Sequence, residues 1–156
     1  MNDEELVGYV RQYHQMVYRL AYSYVRNCAE ADDICQDAFV KLMDYNGHFS
    51  SEEDCRRWLI RVVINLSKNL VRSCRFSRTE ELSEEIPLET AEDGELLALV
   101  RTLPTQYSEV IHLFYYEGYS VNEIAGILGI SRTAVTSRLT RGRKKLKLLV
   151  EEDNDE

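Results

Sequence analysis

The chain has 156 residues, 44% of them hydrophobic, and a formal net charge of −8. That length suits one medium domain or two small ones, and that apolar content allows a packed core. Scarce proline and the lack of regular alternation argue against a β fold, and no apolar run approaches membrane-spanning length.

The acidity is unevenly spread. Residues 55–78 hold 7 bases and no acid, and residues 124–150 hold 7 bases and no acid. Between them, residues 79–95 hold 8 acids and no base. Two basic islands in an acidic chain keep anionic partners in play, because the local field outweighs the sum. Cys28, Cys35, Cys55 and Cys74 form no C-x-x-C pair, and the histidines show no ligand-like spacing with them. They read as free thiols of a reducing compartment, and no metal is expected. The start, MNDEELVGYV, lacks the basic end and apolar core of a signal peptide, so a cytoplasmic protein without membrane insertion is expected.

A first helix is predicted over residues 4–26, where Leu6, Val10, Tyr13, Val17, Leu20 and Tyr24 repeat at helical spacing. A second, Ala29 to Tyr45, turns Ile34, Ala38 and Leu42 inward and leaves Asp33, Gln36, Asp37, Val40 and Lys41 near its outer faces. Asp33 and Asp37 stand one turn apart without a third ligand or a neighbouring histidine. They suit docking of a basic partner better than metal binding or acid–base chemistry, so neither enzymatic activity nor a cofactor is expected. Residues 46–54 read as a loop, with a turn at Asn46-Gly47 and an aromatic, Phe49, that either covers the core or stacks on an unpaired base.

The third helix, Cys55 to Cys74, points Leu59, Val62, Val63, Leu66 and Leu70 inward. Arg57, Arg61, Asn65, Lys68 and Arg72 form a polar ridge, with Trp58 and Asn69 on its shoulder. Cations beside an aromatic suit a surface that tracks phosphates and stacks on opened bases. The acidic stretch that follows has too few apolar residues to bury a core and reads as a linker.

Beyond it, helices are predicted at about 93–103 and 105–117, the latter with Tyr107, Val110, Ile111, Phe114 and Tyr115 on its apolar side. Ser120 and Glu123 have capping-box spacing, Gly129 can end that helix, and Ser131 can start another. Around the last helix, Val135, Leu139, Gly142 and Leu146 share one side. Arg132, Thr133, Thr136, Ser137, Thr140, Arg143, Lys144 and Lys147 share the other. Hydroxyls near the N-terminus and cations beyond, with no carboxylate, match a major-groove recognition helix. The tail EEDNDE is expected to fray.

Two basic helices in two helical domains resemble bacterial sigma factors of the extracytoplasmic-function type. The likeness covers residues 5–76 and 92–147. AEADDICQDAFVKLMDY resembles the family's core-polymerase-binding helix, through Asp33, Gln36, Asp37 and Phe39. RRWLIRVVINLSKNLVR resembles its promoter-melting helix, through Trp58, Leu59, Arg61 and Asn65, and EGYSVNEIAGILGISRTAVTSRLTRGRKKLK resembles its DNA-reading module. Membership implies an all-α chain: a region 2-like domain over residues 1–76, an acidic linker over 77–95, a region 4-like helix-turn-helix domain over 96–150 and an acidic tail over 151–156. It implies core RNA polymerase bound through Asp33, Gln36, Asp37 and Val40. Minus-ten DNA would meet Lys41, Phe49, Arg57, Trp58, Arg61, Asn65, Lys68, Asn69 and Arg72. Minus-thirty-five DNA would meet Ser120, Arg132, Thr133, Thr136, Ser137, Arg138, Thr140, Arg141, Arg143 and Lys144. An anti-sigma protein is the implied regulator. Departures at Thr133-Ala134, Thr136, Asn69 and Gly142 bear on which promoter is read. The competing reading is a stand-alone helix-turn-helix regulator, which leaves the third helix and the Asp-x-x-Gln-Asp helix without a role.

Overall fold

The computed structural model describes residues 2–74 and 91–154, and every described element is helical. The chain divides into two compact units, Met1–Pro87 and Leu88–Glu156. The linker expected at 77–95 lies largely outside the described residues.

The first unit is a three-helix bundle of α1 (Asp3–Val25), α2 (Cys28–Met43) and α3 (Glu52–Cys74). Asn2 and Glu5 form a reciprocal capping box at the start of α1, with bonds of 2.8 and 3.4 Å. Arg26 ends α1 in the left-handed region (φ 54°), and Asn27 caps α2 by accepting the Glu30 N–H at 3.0 Å. Val17, Leu20, Ala38, Leu42, Leu59 and Val63 fill the core.

The third helix begins at Glu52, one turn before the expected Cys55. Ser51 Oγ accepts the Asp54 N–H at 3.2 Å, an N-cap inside the presumed loop, and the Tyr13 hydroxyl donates to the Glu52 carbonyl at 3.0 Å. Its buried face also differs. Cys55, Ile60, Ile64 and Ser67 are buried with Leu59 and Val63, whereas Val62, Leu66 and Leu70 are half-buried. The cause is that α3 packs on both α1 and α2, which widens the face that must be covered.

Burial pushes the Cys35 and Cys55 thiols up to about 11 and the Tyr13 hydroxyl up to about 12. Each of these acids stays protonated longer in the folded chain than in the unfolded one. The thiols' contribution is complete below pH 9, their ordinary value, and is lost as pH rises from there to about 11, while that of Tyr13 is lost between pH 10 and about 12. The unfolding free energy, from urea titrations followed by circular dichroism, will fall by at least about 1 kcal/mol between pH 8 and pH 10.5. A flat profile would contradict the burial of these groups.

The second unit contains α4 (Ala91–Thr102), α5 (Thr105–Ile111), a π-turn (His112–Tyr116), α6 (Val121–Leu128) and α7 (Arg132–Asn154). Leu97, Val100, Leu103, Val110, Ile111, Leu113, Ile124, Val135 and Leu139 form its core. The expected helix over 105–117 is therefore broken in register at His112. The extra residue of the π-turn rotates Phe114 and Tyr115 off the apolar side, and Tyr115 is 54% exposed. The tail is also corrected: α7 stays helical through Asn154, carrying Glu151 and Glu152, good helix formers, with it.

Candidate nucleic-acid interface

The helix-turn-helix forms as the sequence dictates. The Ser120 Oγ accepts the Glu123 N–H at 3.2 Å, and the Glu123 carboxylate accepts the Ser120 N–H at 3.1 Å. Gly129 takes φ 69° at the end of α6, where a side chain would be strained. Ser131 Oγ then accepts the Ala134 N–H at 3.0 Å and starts α7.

Val135, Leu139 and Gly142 are buried, as their shared face requires. At Gly142 a Cβ would stand 2.8 Å from Ile111 Cδ1 and 3.3 Å from Tyr107 Cβ, so α7 lies close against α5 there. The opposite face opens as a surface concavity of about 610 Å³ lined by Arg132, Thr133, Thr136, Ser137, Thr140, Arg141 and Lys144. Its lining holds three cations, four hydroxyls and no carboxylate. Such a wall has the donors to meet base edges and phosphates alike.

Three expected residues stand apart from that wall. Ser120 is engaged as the α6 cap. Arg138 is half-buried. Arg143 donates from Nε to the Tyr115 hydroxyl at 2.7 Å, and its guanidinium lies over the Tyr115 and Phe114 rings. This partnership spans 28 residues and crosses the π-turn, so no local periodicity announces it.

In the first unit, Arg61, Asn65, Asn69 and Arg72 are exposed on α3, and Arg57, Trp58 and Lys68 are half-buried. The ridge is not free of acids at its start. The Glu53 carboxylate lies 3.5 Å from Arg57 Nε and 3.9 Å from Arg56, because the helix begins early enough to include it. Phe49 is packed rather than isolated. Its ring stacks on Tyr45 with centroids 4.7 Å apart, meets Trp58 at 5.9 Å and Tyr9 edge-on at 6.3 Å. Gly47 lets the loop close, since a Cβ there would collide with the Tyr45 hydroxyl. Tyr9 and Tyr45 join this cluster although no helical spacing links them to Phe49. The Asn46-Gly47 turn, which folds the loop back on α2, was the available signal.

On α2, Asp33, Gln36, Asp37, Val40 and Lys41 are all exposed. Gln36 and Val40 border an apolar concavity of about 440 Å³ that also takes in Leu6, Val10, Phe39 and Met43. Val40 and Met43 are 49% and 60% exposed, a wet apolar rim beside two carboxylates. Among the described residues, no three His, Cys, Asp or Glu side chains group so as to hold a metal ion, and no helix is long and apolar enough to cross a membrane.

Residues 9–76 match Sigma-70 region 2, and residues 93–146 match Sigma-70, region 4. The ECF RNA polymerase sigma factor SigE of Mycolicibacterium smegmatis is 31% identical over 151 residues, covering 88% of this chain and 58% of SigE. The RNA polymerase sigma factor SigV of Bacillus subtilis is 28% identical, covering 95% of this chain and 93% of SigV. The fold is shared with the sigma factor RpoE from Bartonella quintana, solved in complex with the anti-sigma factor NepR. The TM-score is 0.73 at 18% identity, over 95% of this chain and 98% of that one.

Proposed function

This chain belongs to the sigma-70 family, as an RNA polymerase sigma factor of the ECF type, and from that premise we propose how its two units share the selection and opening of a promoter. The second unit reads duplex DNA near minus thirty-five with α7. Arg132, Thr136, Ser137 and Thr140 approach base edges, while Thr133, Arg141 and Lys144 grip phosphates. Arg138 and Ser120 support that contact from its margin. The first unit captures the strand opened near minus ten. Lys41, Arg57, Arg61, Lys68 and Arg72 follow its backbone, Asn65 and Asn69 read it, and the Phe49–Trp58 cluster offers aromatic faces. The α2 surface of Asp33, Gln36, Asp37 and Val40 fastens the chain to core polymerase. The chain supplies no reaction of its own; polymerase makes the RNA.

The observation that carries this reading is the acid-free wall of α7, set on a helix-turn-helix within an acidic chain. The experiment is transcription in vitro from a randomised promoter library by core polymerase with and without this chain. A set of promoters used only when the chain is present is the expected result. An active core polymerase that gains no promoter from it overturns the reading.

Substituting Thr136, Ser137 and Thr140 together by alanine will flatten base preference at the upstream element. Each base contact is worth about 1–3 kcal/mol of discrimination. Lys144→Ala, by contrast, will weaken every duplex alike and lower the salt slope by about one. Unchanged preference in the triple variant, measured by selection on the same library, would remove these residues from the reading. An anti-sigma protein is the proposed regulator, a reading supported by the complex in which the Bartonella protein was solved.

A further inference from the structure

His112 and Glu117 are both buried, with side chains 1% exposed, and His112 Nε2 lies 2.7 Å from Glu117 Oε2. Nothing in the proposed reading uses them. They are five residues apart, a spacing that places side chains about 140° from each other around an α-helix, at 100° per residue. The two meet because the intervening turn is a π-turn, in which the Glu117 N–H donates to the His112 carbonyl at 3.1 Å. The same two residues are therefore tied twice, once through the backbone and once through side chains. Tyr116 stacks on the imidazole with centroids 5.6 Å apart, which closes the site from the side.

What this register controls is downstream. It turns Tyr115 outward, where its hydroxyl accepts from Arg143 on α7. It also delivers the chain to Gly118 (φ 77°), and the Tyr119 N–H bonds to the Leu113 carbonyl at 3.0 Å just before the Ser120 cap of α6. Relaxation of the turn to α geometry would separate His112 from Glu117. It would also rotate Tyr115 away from Arg143 and shift the start of α6 against α7.

We infer that His112 and Glu117 are positioning residues: a buried register lock that holds the π-turn, and through it sets α6 against the recognition helix α7 and holds Arg143 of that helix on Tyr115 for duplex binding. This rests on reading α6 and α7 as the duplex-reading module.

The test uses the full chain and a duplex selected by the parent protein, at one fixed salt concentration. Affinity is read by fluorescence anisotropy. Register is read by the NMR signal of the Arg143 Nε proton, which its bond to Tyr115 slows in exchange with water. Glu117→Gln keeps a polar partner for the imidazole and should stay within about threefold of the parent in affinity, with the proton still protected. Glu117→Ala should lose at least tenfold in affinity together with that protection.

Alanine leaves a buried ring without a partner, since His112 Nδ1 already has none, and the variant risks unfolding. His112→Leu with Glu117→Leu fills the same space with apolar atoms and removes the tie. Folded by circular dichroism, this pair should show the same tenfold loss and an exposed Arg143 proton. Parent-like affinity or a still-protected proton in the folded leucine pair overturns the inference. So does unfolding of that pair, which would assign the two residues to stability alone. If the parent binds no duplex, the reading of α7 fails, and the Arg143 proton still decides whether the lock exists.

Discussion

Gly142→Leu will lower the stability of the second unit by about 2–3 kcal/mol and, with it, upstream duplex binding. The added Cβ alone would stand 2.8 Å from Ile111 Cδ1 and 3.3 Å from Tyr107 Cβ, and Ile111 is 2% exposed. The isoleucine terminus has little room to retreat, and the tyrosine Cβ is fixed to the α5 backbone. Inserting side-chain carbons into such a contact typically costs about 1–3 kcal/mol. Helix propensity opposes this, since glycine is about 1 kcal/mol worse than alanine in a helix interior. Leucine carries three carbons beyond Cβ, so the steric loss wins. Gly126→Ala is the matched control. It lies inside α6 with nothing within 4 Å of the new methyl, and should stabilise by about 0.5–1 kcal/mol. Urea titrations followed by circular dichroism compare the two. A leucine variant with the parent's midpoint would mean that α7 does not rest on α5 as described.

Asp33→Lys with Asp37→Lys will reduce association with core polymerase by about 100-fold or more while leaving the fold intact. Both carboxylates are exposed one turn apart on α2, beside the half-wet apolar rim of Val40 and Met43. Their removal therefore uncovers no core. Reversing two charges at a complementary interface replaces attraction with repulsion, and like-charge juxtaposition costs several kcal/mol. Biolayer interferometry with immobilised core polymerase at fixed salt measures the change, and circular dichroism verifies the fold. Binding within threefold of the parent would move the polymerase contact to another surface.

Much of the architecture was legible because local chemistry decided it. The Ser120–Glu123 box, Gly129 and Ser131 fix the helix-turn-helix from side chains no more than three residues from the backbone they serve. The alternation of cations, hydroxyls and aliphatics around α7 fixed which side would be acid-free. What escaped was set by partners far along the chain or by a change of helical period. Arg143 has the composition of a phosphate anchor, and its bond to Tyr115, 28 residues away, follows from no local spacing. The π-turn has no signature in a pattern read at 3.6 residues per turn, and that pattern puts Phe114 and Tyr115 on the apolar side, which the turn rotates them off. Glu53 joins α3 only through the Ser51 cap, which a loop over residues 46–54 hides, and the ridge on α3 reads from sequence as more purely basic than it is. Ile60 and Ile64 needed knowledge that two helices, not one, cover α3.

Trp58 is the chain's single tryptophan, and it stands within 5.1 Å of the Tyr45 ring centre and 5.9 Å of that of Phe49. Excited at long wavelength, the free protein thus has one emitter, located in the first unit. An unpaired oligonucleotide that reaches those rings will quench it, whereas a double-stranded site bound through α7 alone meets no part of that cluster. The molecule carries its own label for strand capture, and no dye need be attached to follow that half of the work.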